Sequence, residues 1–113
     1  MKGIGIDIVE VARIERLARG RRFLEKIFTD DEIRYCGSKK NSAQHYAVRF
    51  AAKEAVWKAL SSRSPRLAHR DIGVRNSRDG SPRVYIKNRL AAGVLISLTH
   101  TKEYAAAFCV AKR

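Results

Sequence analysis

Asp7 stands inside GIGIDIVE, a stretch that is otherwise apolar up to its last residue. A carboxylate is unfavourable in such a strand and costly to bury without a partner. Two readings compete. In one, Asp7 lies at a strand end and caps the next helix or pairs with an arginine. In the other it is a ligand for a hard cation, whose binding would offset the burial cost. Glu54 and Lys58 pose the same question within QHYAVRFAAKEAVWKAL. At about 100° per residue they share one stripe of a helix, between Phe50 and Ala51, while Arg49 and Lys53 fall on a nearly opposite stripe. A surface Glu-Lys pair of a few tenths of a kcal/mol accounts for most such spacings. This segment, however, is apolar around most of its circumference, which points to burial on several sides. His100 closes the run Val94, Ile96, Leu98 on one strand face. It is either a structural hydrogen-bonder or, between Thr99 and Thr101, a phosphate contact or proton carrier.

A basic cluster is the other chemical feature. Arg13, Arg16 and Arg19 recur every third residue and Arg21 and Arg22 follow, with Glu15 alone opposing them. Such a stripe invites an anionic partner, and a basic helix is also the electrostatic footprint of a groove binder. Aromatics do not interleave with these arginines, and the chain holds no RNP, KH, zinc-finger or phosphate-loop pattern, so a nucleic-acid-binding module stands as the alternative reading only.

These residues need elements to hold them. Residues 2–9 read as a strand with Ile4, Ile6 and Ile8 on one face and Gly3, Gly5 and Asp7 on the other, the glycines leaving room for a close neighbour. Residues 10–19 have helical spacing, with Val11, Ile14 and Leu17 inward. Gly20 breaks it, and Arg21 to Ile27 form a short helical piece. Thr29 and Glu32 make a capping box with Phe28 as staple, opening a helix that ends near Cys36–Gly37. The polar loop 38–42 leads into the longest helix, Gln44 to Leu60, which a loop over 61–68 closes. Asp71 to Asn76 and Arg83 to Lys87 flank the turn cluster Asp79-Gly80-Ser81-Pro82 as a hairpin. Asn88 to Ala92 read as a short helix. Val94 to Thr101 and Tyr104 to Val110 form a second hairpin. The order predicts one α+β domain over 1–113, an antiparallel sheet packed against a long helix.

Composition bounds the setting. The 113 residues carry 24 Lys and Arg against 11 Asp and Glu, a formal charge of +13 that predicts attraction to polyanions. No apolar run approaches a membrane span and residues 1–10 lack the pattern of a signal peptide. Cys36 and Cys109 are far apart, in no metal or disulfide pattern, and read as small buried hydrophobes. A cytoplasmic protein is the expectation, with no membrane contact.

Four blocks together resemble the bacterial holo-acyl-carrier-protein synthases, which are small 4′-phosphopantetheinyl transferases: GIGIDIVEVARI at 3–14, FLEKIFTDDEI at 23–33, RFAAKEAVWKAL at 49–60 and SLTHTKEYAAA at 97–107. They lie in the family's order and spacing and cover most of the chain outside 61–92. The resemblance implies the 4′-phosphopantetheinyl transferase fold and an enzyme that moves the phosphopantetheine arm of coenzyme A to a serine of apo-acyl carrier protein, releasing adenosine 3′,5′-bisphosphate. It also implies Mg²⁺ as cofactor and a homotrimer with active sites between subunits. Asp7 and Glu54 match the family's metal ligands, and Glu54 and Lys58 the groups at the reacting phosphates. Arg49, Lys58, Pro82, His100 and Thr101 match positions around the coenzyme. Arg13 and Leu17 match residues that dock acyl carrier protein, with Arg16 and Arg21 beside them. Acyl carrier proteins are acidic, which gives the arginine stripe a destination without nucleic acid.

The chain departs from the family in one place. A glycine-rich turn, typically G-T-G, usually follows the helix; here stand Ser61-Ser62-Arg63-Ser64-Pro65, and Val48 precedes Arg49 where glycine is common. A third reading follows from this departure: a diverged member that binds acyl carrier protein and transfers poorly.

Overall fold

The first strand turns its glycines, not its isoleucines, toward the protein. The computed structural model describes residues 3–60 and 67–112. In β1 (Gly3–Glu10) Gly5 and Val9 are buried while Ile4, Ile6 and Ile8 stand in the open. The reason is α4 (Ser42–Leu60), a helix rich in alanine. Small residues on both sides let backbone meet backbone. Between β1 and α4 run three short helices, α1 (Val11–Leu17), α2 (Arg21–Ile27) and α3 (Asp30–Gly37). The expected capping box opens α3: Glu32 N–H donates to Thr29 Oγ1 at 3.1 Å and Thr29 N–H to Glu32 Oε1 at 2.9 Å. In α1, Val11 and Ile14 are buried as expected, but Leu17 is exposed because the helix stops there and turns away.

After a single 3₁₀ turn at His69–Asp71 the chain becomes strand: β2 (Ile72–Asn76), β3 (Pro82–Ile86), β4 (Arg89–Leu90), β5 (Val94–His100) and β6 (Tyr104–Ala111). All pairings are antiparallel. The strands form two three-stranded sheets, β1-β6-β5 and β2-β3-β4, where the sequence suggested one. The expected helix at Asn88–Ala92 is instead a second tight hairpin. Lys87 and Asn88 both take positive φ (49° and 70°), so the chain reverses in two residues and Arg89–Leu90 pair back onto Tyr85–Ile86. Asparagine tolerates that conformation well.

Helix α4 is buried on several sides, as its composition implies. It packs against β1, β6, β5, α1, α3 and β2. Among its buried residues is Lys53, fully enclosed and 2.6 Å from the equally enclosed Glu32. The ammonium also donates to the backbone carbonyls of His69 (3.2 Å) and Ile72. Glu32 Oε2 accepts from Val74 N–H at 2.7 Å. Glu32 thus caps α3 and anchors β2 to α4 through one carboxylate. Burial pulls the Lys53 pKa down, against the opposing pull of Glu32.

The β1-β6-β5 sheet has one covered face and one bare face. Cross-strand rows on the bare face run Ile4–Val110–Leu95 and Ile6–Phe108–Ser97. Ile4, Ile6 and Ile8 are each 65% exposed or more, and Leu95, Tyr104 and Phe108 are also exposed. An apolar face of this extent is unusual on a protein that stays alone.

Candidate functional site

Asp7 lies on the covered face of β1, opposite Ala107 of β6. Its neighbours Gly5 and Gly3 let that face press onto Ala55 and Ala59 of α4. Two residues along the strand, the same approach brings Asp7 to the side of α4 that carries Glu54 and Lys58. The Lys58 ammonium donates to the Ile6 carbonyl at 2.9 Å and to Asp7 Oδ1 at 3.4 Å. Asp7 Oδ2 is buried and has no hydrogen-bond partner. Burial pushes the Asp7 carboxyl above its ordinary value; Lys58 opposes this, the nearby Glu54 carboxylate adds to it, and Arg13 opposes it.

A buried carboxylate oxygen with nothing to accept from is expensive. A second carboxylate beside it worsens the cost, and a hard divalent cation would relieve both. Mg²⁺ takes one or two protein carboxylates and fills its remaining positions with waters and substrate phosphates. Two acidic residues suit that pattern. Among the described residues there is no cluster of three or more His, Cys, Asp or Glu able to form an all-protein cage.

Glu54 has a partner that the sequence did not reveal. His69 Nε2 meets Glu54 Oε2, with both side chains about one-third exposed. The imidazole lies flat against Phe50, with ring centroids 5.7 Å apart and planes 9° apart. Fifteen positions separate Glu54 from His69, and no periodic pattern links them. A histidine two residues before Asp71 gives no signal by itself.

The second set of residues gathers elsewhere. Arg49, Pro82 and His100 line one open cleft of about 450 Å³ together with Tyr35 and His45. Arg49 is buried, with its guanidinium 4.5 Å from the Tyr35 ring centroid, and its Nε has no hydrogen-bond partner. Burial lowers the His45 pKa, and Arg49, Lys39 and His100 lower it further. The cleft is therefore electropositive and contains a buried donor without an acceptor. Thr101 adjoins it in sequence, but its Oγ1 is occupied in the β5–β6 turn, accepting from the N–H groups of Glu103 and Tyr104 at 3.2 and 3.0 Å. Lys58 is not part of this cleft. Arg49 and Glu54 differ by five positions on α4, so they diverge by roughly 140° around the helix axis.

On α1 and α2, Arg13, Arg16, Leu17 and Arg21 are all exposed, and of these Arg13 is near enough to Asp7 to act on its carboxyl. Arg13 sits 5.9 Å from the Phe50 ring centroid, linking this surface to the carboxylates. Arg21 pairs with Glu25 at 3.0 Å, both exposed. The segment Ser61–Pro65, where the usual glycine turn is missing, lies outside the described residues. Val48, the other departure, is buried in α4 beside Arg49.

Comparison with known proteins gives a consistent picture. The model of the 4′-phosphopantetheinyl transferase superfamily matches residues 3–109. The holo-[acyl-carrier-protein] synthase of Thermodesulfovibrio yellowstonii is 46% identical over 112 residues, covering 97% of each chain. That of a Geobacter species is 43% identical, covering 98% of each. Among solved structures, a holo-(acyl-carrier-protein) synthase from Bacillus anthracis in complex with CoA (3′,5′-ADP) superposes with a TM-score of 0.83 at 36% identity, covering 96% of this chain and 94% of that one. The Helicobacter pylori holo-[acyl-carrier-protein] synthase in complex with coenzyme A gives 0.80 at 30% identity, covering 96% and 99%.

Proposed function

The chain belongs to the 4′-phosphopantetheinyl transferase superfamily, and from that membership we propose how its residues carry out the reaction. It is a holo-acyl-carrier-protein synthase, transferring the phosphopantetheine arm of coenzyme A to acyl carrier protein. The serine hydroxyl of the carrier attacks the phosphorus that bears the pantetheine arm, and adenosine 3′,5′-bisphosphate leaves. Residues 1–113 act as one domain in this reading.

Asp7 and Glu54 hold Mg²⁺. The observation that carries this assignment is the buried, unpartnered Oδ2 of Asp7 beside the Glu54 carboxylate. When bound, the cation supplies charge neutralisation at the pyrophosphate as the bridging oxygen leaves. Lys58, held against Asp7 and the Ile6 carbonyl, sets a second positive charge at the same place. The cleft of Arg49, Pro82 and His100 receives the phosphorylated nucleotide of the coenzyme, where the Arg49 Nε finds the acceptor it lacks. Thr101 contributes through its place beside that cleft. Arg13, Arg16, Leu17 and Arg21 dock the acidic carrier protein, which steers association and makes it salt-sensitive.

The two halves of this site lie on different sides of α4, and the bare sheet face needs a cover. Both features support an assembly in which one subunit's carboxylates face the next subunit's cleft. A homotrimer, the arrangement that the family resemblance implies, satisfies them. A cytoplasmic setting agrees with helices none of which, among the described residues, is long and apolar enough to cross a membrane.

The direct test is intact-mass analysis of apo-acyl carrier protein incubated with the protein, coenzyme A and Mg²⁺. The carrier gains one phosphopantetheine group, and EDTA abolishes the gain. Asp7→Asn and Glu54→Gln each lower turnover by about 100-fold or more, the scale of several kcal/mol of charge stabilisation, while far-ultraviolet circular dichroism is unchanged. Full turnover by either variant rejects the metal assignment.

A further inference from the structure

His69 is anchored more firmly than a residue at the end of a loop requires. Its carbonyl accepts from the buried Lys53 ammonium at 3.2 Å. Its neighbour Arg70 donates to the Glu25 carbonyl at 2.7 Å, to the Phe28 carbonyl, and to Asp30 at 2.6 Å. Asp71 accepts from Ala68 N–H at 3.0 Å through Oδ2 and from Lys87 N–H at 2.7 Å through its carbonyl. Every residue of the 3₁₀ turn is thus tied to a different element. The one side chain that this turn directs at the site is the His69 imidazole.

The ring itself is also fixed. It stacks on Phe50, and Phe50 in turn stacks on Phe23 at 6.4 Å. Its Nε2 meets Glu54 Oε2. A carboxylate can only accept, so Nε2 carries the hydrogen and donates. A glutamate has three rotatable bonds, and on a helix its carboxylate sweeps a wide arc. Holding one oxygen leaves the other available at a defined place.

We propose that His69 is the positioning residue for Glu54: its Nε2–H fixes one carboxylate oxygen so that the other is presented to the divalent cation shared with Asp7. The inference rests on the reading of Glu54 as a metal ligand. It adds a residue outside the carboxylate pair and assigns the His69–Asp71 turn a task, delivering a ring against Phe50 and Glu54. Partners of this kind usually contribute 10–100-fold to metal affinity.

The test is Mn²⁺ affinity, read from loss of the free-ion electron paramagnetic resonance signal, for the protein saturated with coenzyme A. Three variants are compared with wild type. His69→Phe keeps the stack on Phe50 and loses the donor. His69→Gln keeps a donor where Nε2 stood and loses the aromatic ring. Glu54→Gln tests the ligand directly. The expected pattern is a Kd raised by about 10-fold or more in His69→Phe and in Glu54→Gln, with His69→Gln within about 3-fold of wild type. In turnover, His69→Phe raises the Mg²⁺ concentration for half-maximal rate and largely recovers kcat at saturating metal. Circular dichroism and melting temperature, unchanged in His69→Phe and His69→Gln, exclude a folding effect. If His69→Phe binds Mn²⁺ like wild type while Glu54→Gln does not, the positioning role is overturned and the ligand assignment stands. If Glu54→Gln binds like wild type, the ligand assignment fails and the positioning role with it. Equal losses in His69→Phe and His69→Gln also overturn it, because the donor is then not what matters.

Discussion

A Cβ added to Gly5 would lie 1.9 Å from the carbonyl oxygen of Ala55, and one added to Gly3 would lie 2.1 Å from that of Ala59. At Gly3 and Gly5, strand β1 therefore rests directly on the backbone of α4, with no side chain between them. The same contact sets the distance from Asp7 to Lys58, because Gly5 and Asp7 share a face of β1 and Lys58 lies three residues beyond Ala55, close to one turn further along α4.

Gly5→Ala forces strand and helix apart, since the obstructing atom is backbone and cannot rotate away. The expected destabilisation is about 1–3 kcal/mol or more, the scale of overpacking. Urea denaturation measures it. The separate expectation is that turnover falls further than the unfolded fraction explains, because Asp7 moves relative to Glu54 and Lys58. Wild-type turnover per folded molecule would show that the site tolerates the shift.

This contact also shows where the sequence is readable and where it is not. Alternation placed Gly3, Gly5 and Asp7 on one face of β1 and foresaw a close neighbour there, because period-two patterning depends only on local geometry. The Thr29–Glu32 capping box and the Asp79–Gly80 hairpin were legible for the same reason. The Lys87–Asn88 reversal was not, since neither residue announces positive φ as a glycine would. His69 and the Lys53–Glu32 pair were also invisible, because each contact joins distant elements and depends on how the 3₁₀ turn docks on α4. Asp7, Glu54 and Lys58 stood out in the sequence only as candidates, each with a structural reading beside the chemical one, and the roles proposed for them come from the family resemblance.

Lys53→Met leaves Glu32 charged and fully enclosed without its cation. Removing one member of a buried pair costs about 3–5 kcal/mol. Glu32 keeps the N–H donors of Thr29 and Val74, so the loss belongs at the lower end of that range. Adding Glu32→Gln to Lys53→Met removes the stranded charge, and the double variant is expected to be more stable than Lys53→Met alone. A double-mutant cycle by chemical denaturation reads the coupling, and additive effects would show that the pair is not energetically linked.

Burial pushes the Cys36 thiol up to about 12 and the Cys109 thiol up to about 11. Neither forms thiolate in the folded protein near neutral pH, and both are fully enclosed. Iodoacetamide at pH 8 should leave the native protein unmodified and alkylate both thiols in urea, as counted by intact mass. The sign for stability follows. Unfolded thiols ionise near 9 while folded ones hold their protons, so the folded state binds more protons above that value. The stabilisation is whole below pH 9 and is lost as pH rises from there. Cys36→Ala should therefore show a shallower alkaline decline than wild type.

The bare face of the β1-β6-β5 sheet makes the most exposed prediction. Ile6, opposite Phe108 at the centre of that face, is 65% exposed in a single chain. If subunits pack there, Ile6→Glu places a charge inside an apolar interface, where each unpaired carboxylate is costly. Light scattering should then report a trimer for wild type and a monomer for the variant. Each chain would keep its fold, because Ile6 faces away from α4 and the core. Turnover should be lost as well, although Asp7, Glu54 and Lys58 are all intact in the monomer, since in the proposed trimer the cleft of Arg49 and His100 that completes the site belongs to a neighbour. An active monomer would mean that one chain serves the carboxylates and the cleft together, and the roughly 140° between Arg49 and Glu54 around α4 would then have to be spanned by the coenzyme itself.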